Sequence, residues 1–351
     1  MRPGKGIVIF CLFLIEVLSL VTIWSTVPDL FLTQLAFALA GAIIIYFLNK
    51  SDINLFFSFS WFLYFSCIVL LLLTMVVGKN IRGSIRWIDL GFFNLQTSEL
   101  IKPILALFYA QYLSKHDLKR FKDFLFFLFI AAVPALIVAK QPDLGSALTI
   151  IVIPLAMLLF SGHGKRLLIT GLIFLALVVP IESKLLKPYQ RDRIESFINP
   201  YKDPKGSGYN VIQATIAIGS GGTFGKGVKL GTQSHLNFLP ERHTDFIFAS
   251  FAEEFGLVGI TVLISSYFFL LNYFLNITHF FKKKQHYLFS LAVFTVFLFQ
   301  IVVNMGMNLG IMPVTGITLP IFSYGGSSLL SFAIFIGLEL CLLDLITPFE
   351  L

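Results

Sequence analysis

Glu241, Arg242, His243 and Asp245 fall within five consecutive positions, just ahead of an apolar run long enough to cross a bilayer, and Glu253 and Glu254 follow inside that run. An ionisable side chain in hydrocarbon costs roughly 2.5–3.5 kcal/mol on insertion scales, so this density of charge marks a site or a bound partner. A carboxylate at such a boundary can take a proton from a substrate hydroxyl. Asp245 is the expected working group.

Further polar residues sit at the ends of other apolar runs. In Thr97-Ser98-Glu99-Leu100-Ile101-Lys102-Pro103, Glu99 and Lys102 are three apart and share one helix face; they can neutralise each other locally, serve a site, or do both. Asp143, after Gln141-Pro142 and before Leu144-Gly145-Ser146, is placed as a helix N-cap. It falls on the same face of the membrane as Asp245, Glu99 and Arg86, and together these could line one outward-opening cavity. The glycine-rich run 219–227 lacks the GxxxxGK[ST] spacing of a nucleotide-binding loop and follows no strand, so tight turns are its expected use, with backbone amides approaching a phosphate as the lesser alternative. Arg86, Lys184, Lys187, Arg191, Arg193, Lys226, Lys229 and Arg242 lie on that face too, where arginines suit the phosphate oxygens of an anionic substrate. Asn308 and the Pro/Gly/Ser-rich stretch 313–328 predict broken backbone that shapes a cavity wall.

The elements that carry these residues are membrane helices. Of 351 residues 57% are hydrophobic and 13% charged, with mean hydropathy +0.86, whereas a soluble domain carries about 25% charged residues. Strands of a membrane barrel need alternating polarity, which is absent. The fold class is therefore an all-α polytopic membrane protein, a single domain over 1–351, with about ten transmembrane helices near 7–27, 31–48, 53–77, 98–114, 122–139, 144–161, 167–181, 244–272, 286–310 and 322–345. Between the seventh and eighth runs a long extracytoplasmic loop, about 182–243, is expected to hold a short ordered helix around Ile212–Ile218. Net charge is +7, and its Lys and Arg concentrate in the short loops on the side of the termini, which places both termini in the cytoplasm. This distribution and the lack of any nucleic-acid-binding module leave no nucleic-acid partner. Cys11, Cys67 and Cys341 lie in apolar runs without metal-ligand spacing.

Arg86-Trp87-Ile88-Asp89, Ser98-Glu99-Leu100-Ile101-Lys102, Gln141-Pro142-Asp143-Leu144-Gly145, Pro240-Glu241-Arg242-His243-Thr244-Asp245-Phe246 and Ser323-Tyr324-Gly325-Gly326-Ser327-Ser328 come in an order that resembles the SEDS (shape, elongation, division and sporulation) family, the RodA/FtsW-like membrane proteins. Arg242 before His243 is more similar to the elongation members than to the division members. The resemblance implies a bacterial inner-membrane peptidoglycan glycosyltransferase that polymerises lipid II, with the site extracytoplasmic. Its partners would be lipid II as donor and acceptor, a class B penicillin-binding transpeptidase and other elongation-complex membrane proteins. It implies Asp245 as the catalytic residue and Glu99, Lys102 and Asp143 as functional positions. Arg86, Glu241, Arg242 and His243 complete the expected substrate-binding set. A divalent cation, Mg or Mn, is a family trait whose ligands the residues do not single out. Lipid II transport across the membrane is the alternative, with Glu16, Glu253, Glu254 and Glu339 as the carboxylates that would serve it.

Overall fold

The computed structural model describes residues 5–346 apart from 82–83, 92, 168, 170–194 and 207. Its main helices are α1 (Lys5–Thr26), α2 (Phe31–Asn49), α3 (Ile53–Ser58), α4 (Ser60–Val77), α5 (Thr97–Lys115), α6 (Phe121–Lys140), α7 (Leu144–Leu158), α8 (Tyr209–Gly221), α9 (Thr232–His235), α10 (Ile247–Ile277), α11 (Lys284–Asn308) and α12 (Gly326–Leu343). Eight described helices are long and apolar enough to span a membrane. Apart from Leu167 and Ile169, the expected span 167–181 lies outside the described residues, as do the cations Lys184, Lys187, Arg191 and Arg193. The other expected spans fall on helices, the run 53–77 being broken at Phe59 into α3 and α4.

Helix α5 is full length yet is not among the eight apolar spans, because Glu99, Lys102 and Gln111 lower its hydropathy. It survives in the bundle because protein covers it: α4, α7, α11 and α12 pack around it, and Leu105, Tyr109 and Lys102 are almost fully buried. Two prolines tie the bundle together. Pro103 has no N–H to give the Glu99 carbonyl one turn back, and Ser331 Oγ of α12 donates there instead at 2.7 Å. Pro134 likewise orphans the Ile130 carbonyl of α6, which takes the Tyr64 hydroxyl of α4 at 2.9 Å.

The two ends of the bundle differ. At one, Lys5 Nζ meets Asn49 Oδ1 at 3.1 Å and Asp344 Oδ2 at 2.7 Å, which gathers the start of α1 and the ends of α2 and α12. At the other, the chain between α4 and α5 forms an antiparallel sheet of β1 (Lys79–Ile81), β2 (Ser84–Asp89) and β3 (Asn94–Gln96), in that order. This sheet adds to the all-helical expectation, since strands of three and six residues are too short for an alternating pattern to register. Asp89 closes its hairpin: the Gly91 N–H, and then the Lys79 ammonium at 3.0 Å, hold its carboxyl below the usual carboxylate range. Backbone pairing of Trp87 with Gln96 sets the sheet on α5 and α12, and Gln96 N–H donates to Ser327 Oγ at 2.8 Å.

The long loop contains the expected helix, α8, whose Val211, Ala214, Ala217 and Gly221 form one buried stripe. It packs on α10 closely enough that a β-carbon at Gly221 would sit 2.1 Å from the Ala252 carbonyl. Helix α10 itself breaks at Gly256, whose φ of 63° and ψ of −161° no side-chain-bearing residue adopts comfortably. The glycine-rich run fills the break. Lys226 and Gly227 N–H groups donate to the Glu253 and Glu254 carbonyls, while Leu257 and Val258 N–H groups donate to Gly222 and Thr223. Its glycines therefore permit backbone to lie on backbone, as expected of turns.

Candidate functional site

Asp245 stands at the head of α10, and the turn that carries it is held through its carbonyls. Thr244 and Phe246 N–H groups both donate to the Glu241 carbonyl at 3.1 Å, in a turn tight enough to put Glu241 at φ 52°. Ser250 Oγ takes the Arg242 carbonyl at 3.1 Å. Tyr324 N–H takes His243 at 2.9 Å, and Ser323 Oγ takes Thr244 at 2.8 Å. Asn304 and Asn308 Nδ2 take Asp245 at 3.2 and 3.0 Å. Leu239 and Phe246 bury themselves against Ala214 and Ala217 of α8 beneath the turn. The side chains of Arg242, His243 and Asp245 remain part-exposed. A β-carbon at Gly316 would lie 3.7 Å from an Asp245 carboxylate oxygen, so the stretch between α11 and α12 forms the wall this carboxylate faces.

Arg242 reaches the Thr26 carbonyl at 3.3 Å through Nε and Asn237 Oδ1 through Nη1; its partial burial lowers the guanidinium's proton affinity from the usual arginine value. The His243 ring lies 5.5 Å from that of Tyr324, whose hydroxyl burial pushes up in pKa. Thr244 Oγ1 donates to the Glu241 carboxylate at 3.0 Å.

Asp143 caps α7 as expected, accepting Ser146 N–H at 3.2 Å. Its other oxygen takes Gln96 Nε2 at 2.9 Å and Ser98 Oγ at 3.0 Å, and Arg86 Nη1 stands 3.5 Å from the first. The Arg86 guanidinium also covers the Trp87 ring at 4.1 Å. Gly145, at the start of α7, lets the Thr315 carbonyl approach to 2.7 Å of where a β-carbon would be. Thr315 and Gly316 thus touch the Asp143 and Asp245 regions in turn. An Asp143→Ala variant is expected to lose about 2 kcal/mol of stability, the sum of a lost cap and unpaired buried donors. Asp143→Asn, which keeps the cap, should lose clearly less in thermal unfolding followed in detergent.

Glu99 and Lys102 meet at 2.6 Å, both almost fully buried, so the pair is closed on itself inside the bundle. Glu253 accepts from Lys226 Nζ at 2.8 Å, Thr232 Oγ1, Gln233 N and Ser234 N and Oγ. Glu254 accepts from Ser25 Oγ, His235 Nε2 and Lys229 N. These two carboxylates clamp the segment around residues 226–235 onto α10. Glu339 takes Ser290 Oγ within the bundle, and Glu16 lines an apolar groove between α1, α2 and α12.

Sequence reasoning passed over Asn304 and Ser323 Oγ as holders of the site. An amide within an apolar helix is the one signal that could have marked Asn304, one turn before Asn308. Among the described residues no group of three or more His, Cys, Asp or Glu could hold a metal ion.

Fold and site define a polytopic α-helical membrane protein whose carboxylate-bearing polar site lies at the end of the bundle opposite the described chain ends. The chain belongs to the FtsW/RodA/SpoVE family of cell cycle proteins, which it matches over residues 6–344. It is 40% identical over 274 residues to the peptidoglycan glycosyltransferase MrdB of Escherichia coli (strain K12), covering 77% of this chain and 73% of that one. It is 38% identical over 286 residues to the probable peptidoglycan glycosyltransferase FtsW of Hydrogenovibrio crunogenus, covering 78% and 71%. In structure it is similar to a chain of a peptidoglycan synthase complex that coordinates polymerization and crosslinking, with TM-score 0.83, 36% identity and coverage of 95% and 96%. It is also similar to the rod shape determining protein RodA of Thermus thermophilus, with TM-score 0.72, 29% identity and coverage of 95% and 94%.

Proposed function

We infer that this chain is a peptidoglycan glycosyltransferase of the bacterial inner membrane that polymerises lipid II during cell elongation. Membership of the family and the names of its relatives support the activity. The observation that carries the site assignment is the Asp245 turn: a part-exposed carboxylate on a backbone whose carbonyls are taken from outside, beside Gly316.

In the proposed step the Asp245 carboxylate removes the proton from the acceptor sugar hydroxyl. That oxygen bonds to the donor's anomeric carbon as its bond to polyprenyl pyrophosphate breaks, with inversion. Pyrophosphate leaves as a stable anion, so one carboxylate suffices where a glycosidase needs two. Arg86 and Arg242 are the part-exposed cations placed for the leaving group. Glu241 and His243 flank them, Asp143 orients Arg86, and Glu99–Lys102 braces α5 from within. A divalent cation, Mg2+ or Mn2+, is proposed as a counterion that arrives on the substrate's phosphates. The polyprenyl chain is assigned to the groove of about 510 Å3 lined by Leu20, Leu35, Ile321 and Leu329 among others, because Ile321 stands two residues from the Ser323 that holds the site.

The termini are proposed to be cytoplasmic and the site extracytoplasmic, on the positive-inside distribution. A class B penicillin-binding transpeptidase is the proposed partner, along with membrane proteins of the elongation complex; the similarity to a synthase-complex chain supports the first. Transport of lipid II has less support, since three of its four candidate carboxylates are held by neighbouring groups. The purified protein, alone and with its transpeptidase, is expected to convert labelled lipid II into a muramidase-sensitive glycan ladder. Absence of polymer from a partnered preparation that moves lipid II across liposome membranes would reverse the assignment.

A further inference from the structure

We propose that Asn304 is the residue that positions Asp245 for transfer, an inference that rests on Asp245 being the base. Asn304 is fully buried in α11. Its one carboxamide NH2 donates to the Asp245 carbonyl at 3.2 Å and to the Ile317 carbonyl at 2.8 Å. Ile317 follows Gly316, the glycine that faces the Asp245 carboxylate. A single amide therefore ties the main chain that carries the carboxylate to the stretch its side chain lies beside.

Two further observations separate this role from ordinary packing. Asn304 Oδ1 meets no protein donor, so its contacts with the rest of the protein run through its two donors. Asn308, one turn later, shares the Asp245 carbonyl but directs its Oδ1 to the Ala249 N–H at 3.1 Å and its remaining donor to the Asn304 carbonyl at 2.8 Å. Asn308 thus secures the first turn of α10, and Asn304 ties the Asp245 main chain to the Gly316 stretch.

The test compares Asn304→Ala, Asn304→Ser and Asn308→Ala in the complex with the partner transpeptidase, reading kcat, KM for lipid II and melting temperature. A misplacement near 1 Å lowers a transfer rate by about 10²-fold, so Asn304→Ala is expected to lose about that factor in kcat per folded molecule, with KM near the parent value and a lowered melting temperature, since the Ile317 carbonyl loses its donor. Asn304→Ser, whose hydroxyl can serve one carbonyl, should fall between. Asn308→Ala should lower the melting temperature more and kcat less. An Asn304→Ala protein with parental kcat, or one whose lost activity matches its lost folded fraction, overturns the positioning role. Asp245→Asn that still polymerises overturns the base itself, whatever Asn304 does, so the two failures are distinguishable.

Discussion

Asp245→Asn is expected to abolish glycan polymerisation while leaving the folded protein intact. A positioned base contributes about 10²–10⁴-fold to a transfer, and an amide of the same shape cannot accept the acceptor's proton. Stability should change little, because the bonds that place this turn run to the main-chain carbonyls of residues 241–245, which the substitution leaves alone. Lipid II association should persist, since Arg86 and Arg242 remain. The measurements are polymer yield from labelled lipid II, lipid II binding and thermal unfolding on the same preparation. Retained polymer would move the base elsewhere; lost binding together with lost activity would make Asp245 a binding group.

The second large effect lies inside the bundle. Lys102→Met is expected to destabilise the protein by about 3–5 kcal/mol, because it strands the Glu99 carboxylate where almost no solvent reaches. Glu99→Gln should do comparable damage by stranding the ammonium. The double variant should recover much of the loss, since a buried ion pair replaced by neutral groups of similar volume is often close to neutral. A double-mutant cycle in reversible unfolding reads the coupling directly. Polymerisation by the recovered double variant then decides what the pair does: parental activity assigns it to the scaffold, and a stable but inactive protein assigns it to the reaction.

Much of the helical fold is legible in the chain because hydrocarbon leaves the backbone few choices. The run 98–114 reads as a span in spite of Glu99 and Lys102, and its polarity is accommodated by neighbouring helices. Asp143 reads as a cap from Gln141-Pro142 before it and the apolar run after it. The ladder that strand β2 forms with its neighbours does not, since Ser84–Asp89 offers too few alternations. Nor does the division of labour among carboxylates: Glu253 and Glu254 look like Asp245 in sequence, all at one boundary. What sets the roles of the first two is the groups that come to meet them, Lys226, Thr232 and His235, while Asp245 stands beside Gly316. Those partners are set by tertiary approach, which no local pattern encodes. The same holds for Ser331 and Tyr64, whose value lies in the carbonyls that Pro103 and Pro134 leave bare on other helices.

The way the Asp245 turn is held also sets a clock on its birth. Its donors, Asn304, Asn308, Ser323 and Tyr324, all emerge later than Asp245 itself, the last about 80 residues on. At synthesis rates of about 5–20 residues per second, that is a delay of roughly 4–16 seconds. During it the nascent chain already displays the proposed base without the frame that aims it. On the proposed assignment, a ribosome that stops before Ser323 and Tyr324 leaves a membrane protein with most of the described helices and an unframed base, so the joining of sugars waits for that stretch to be inserted.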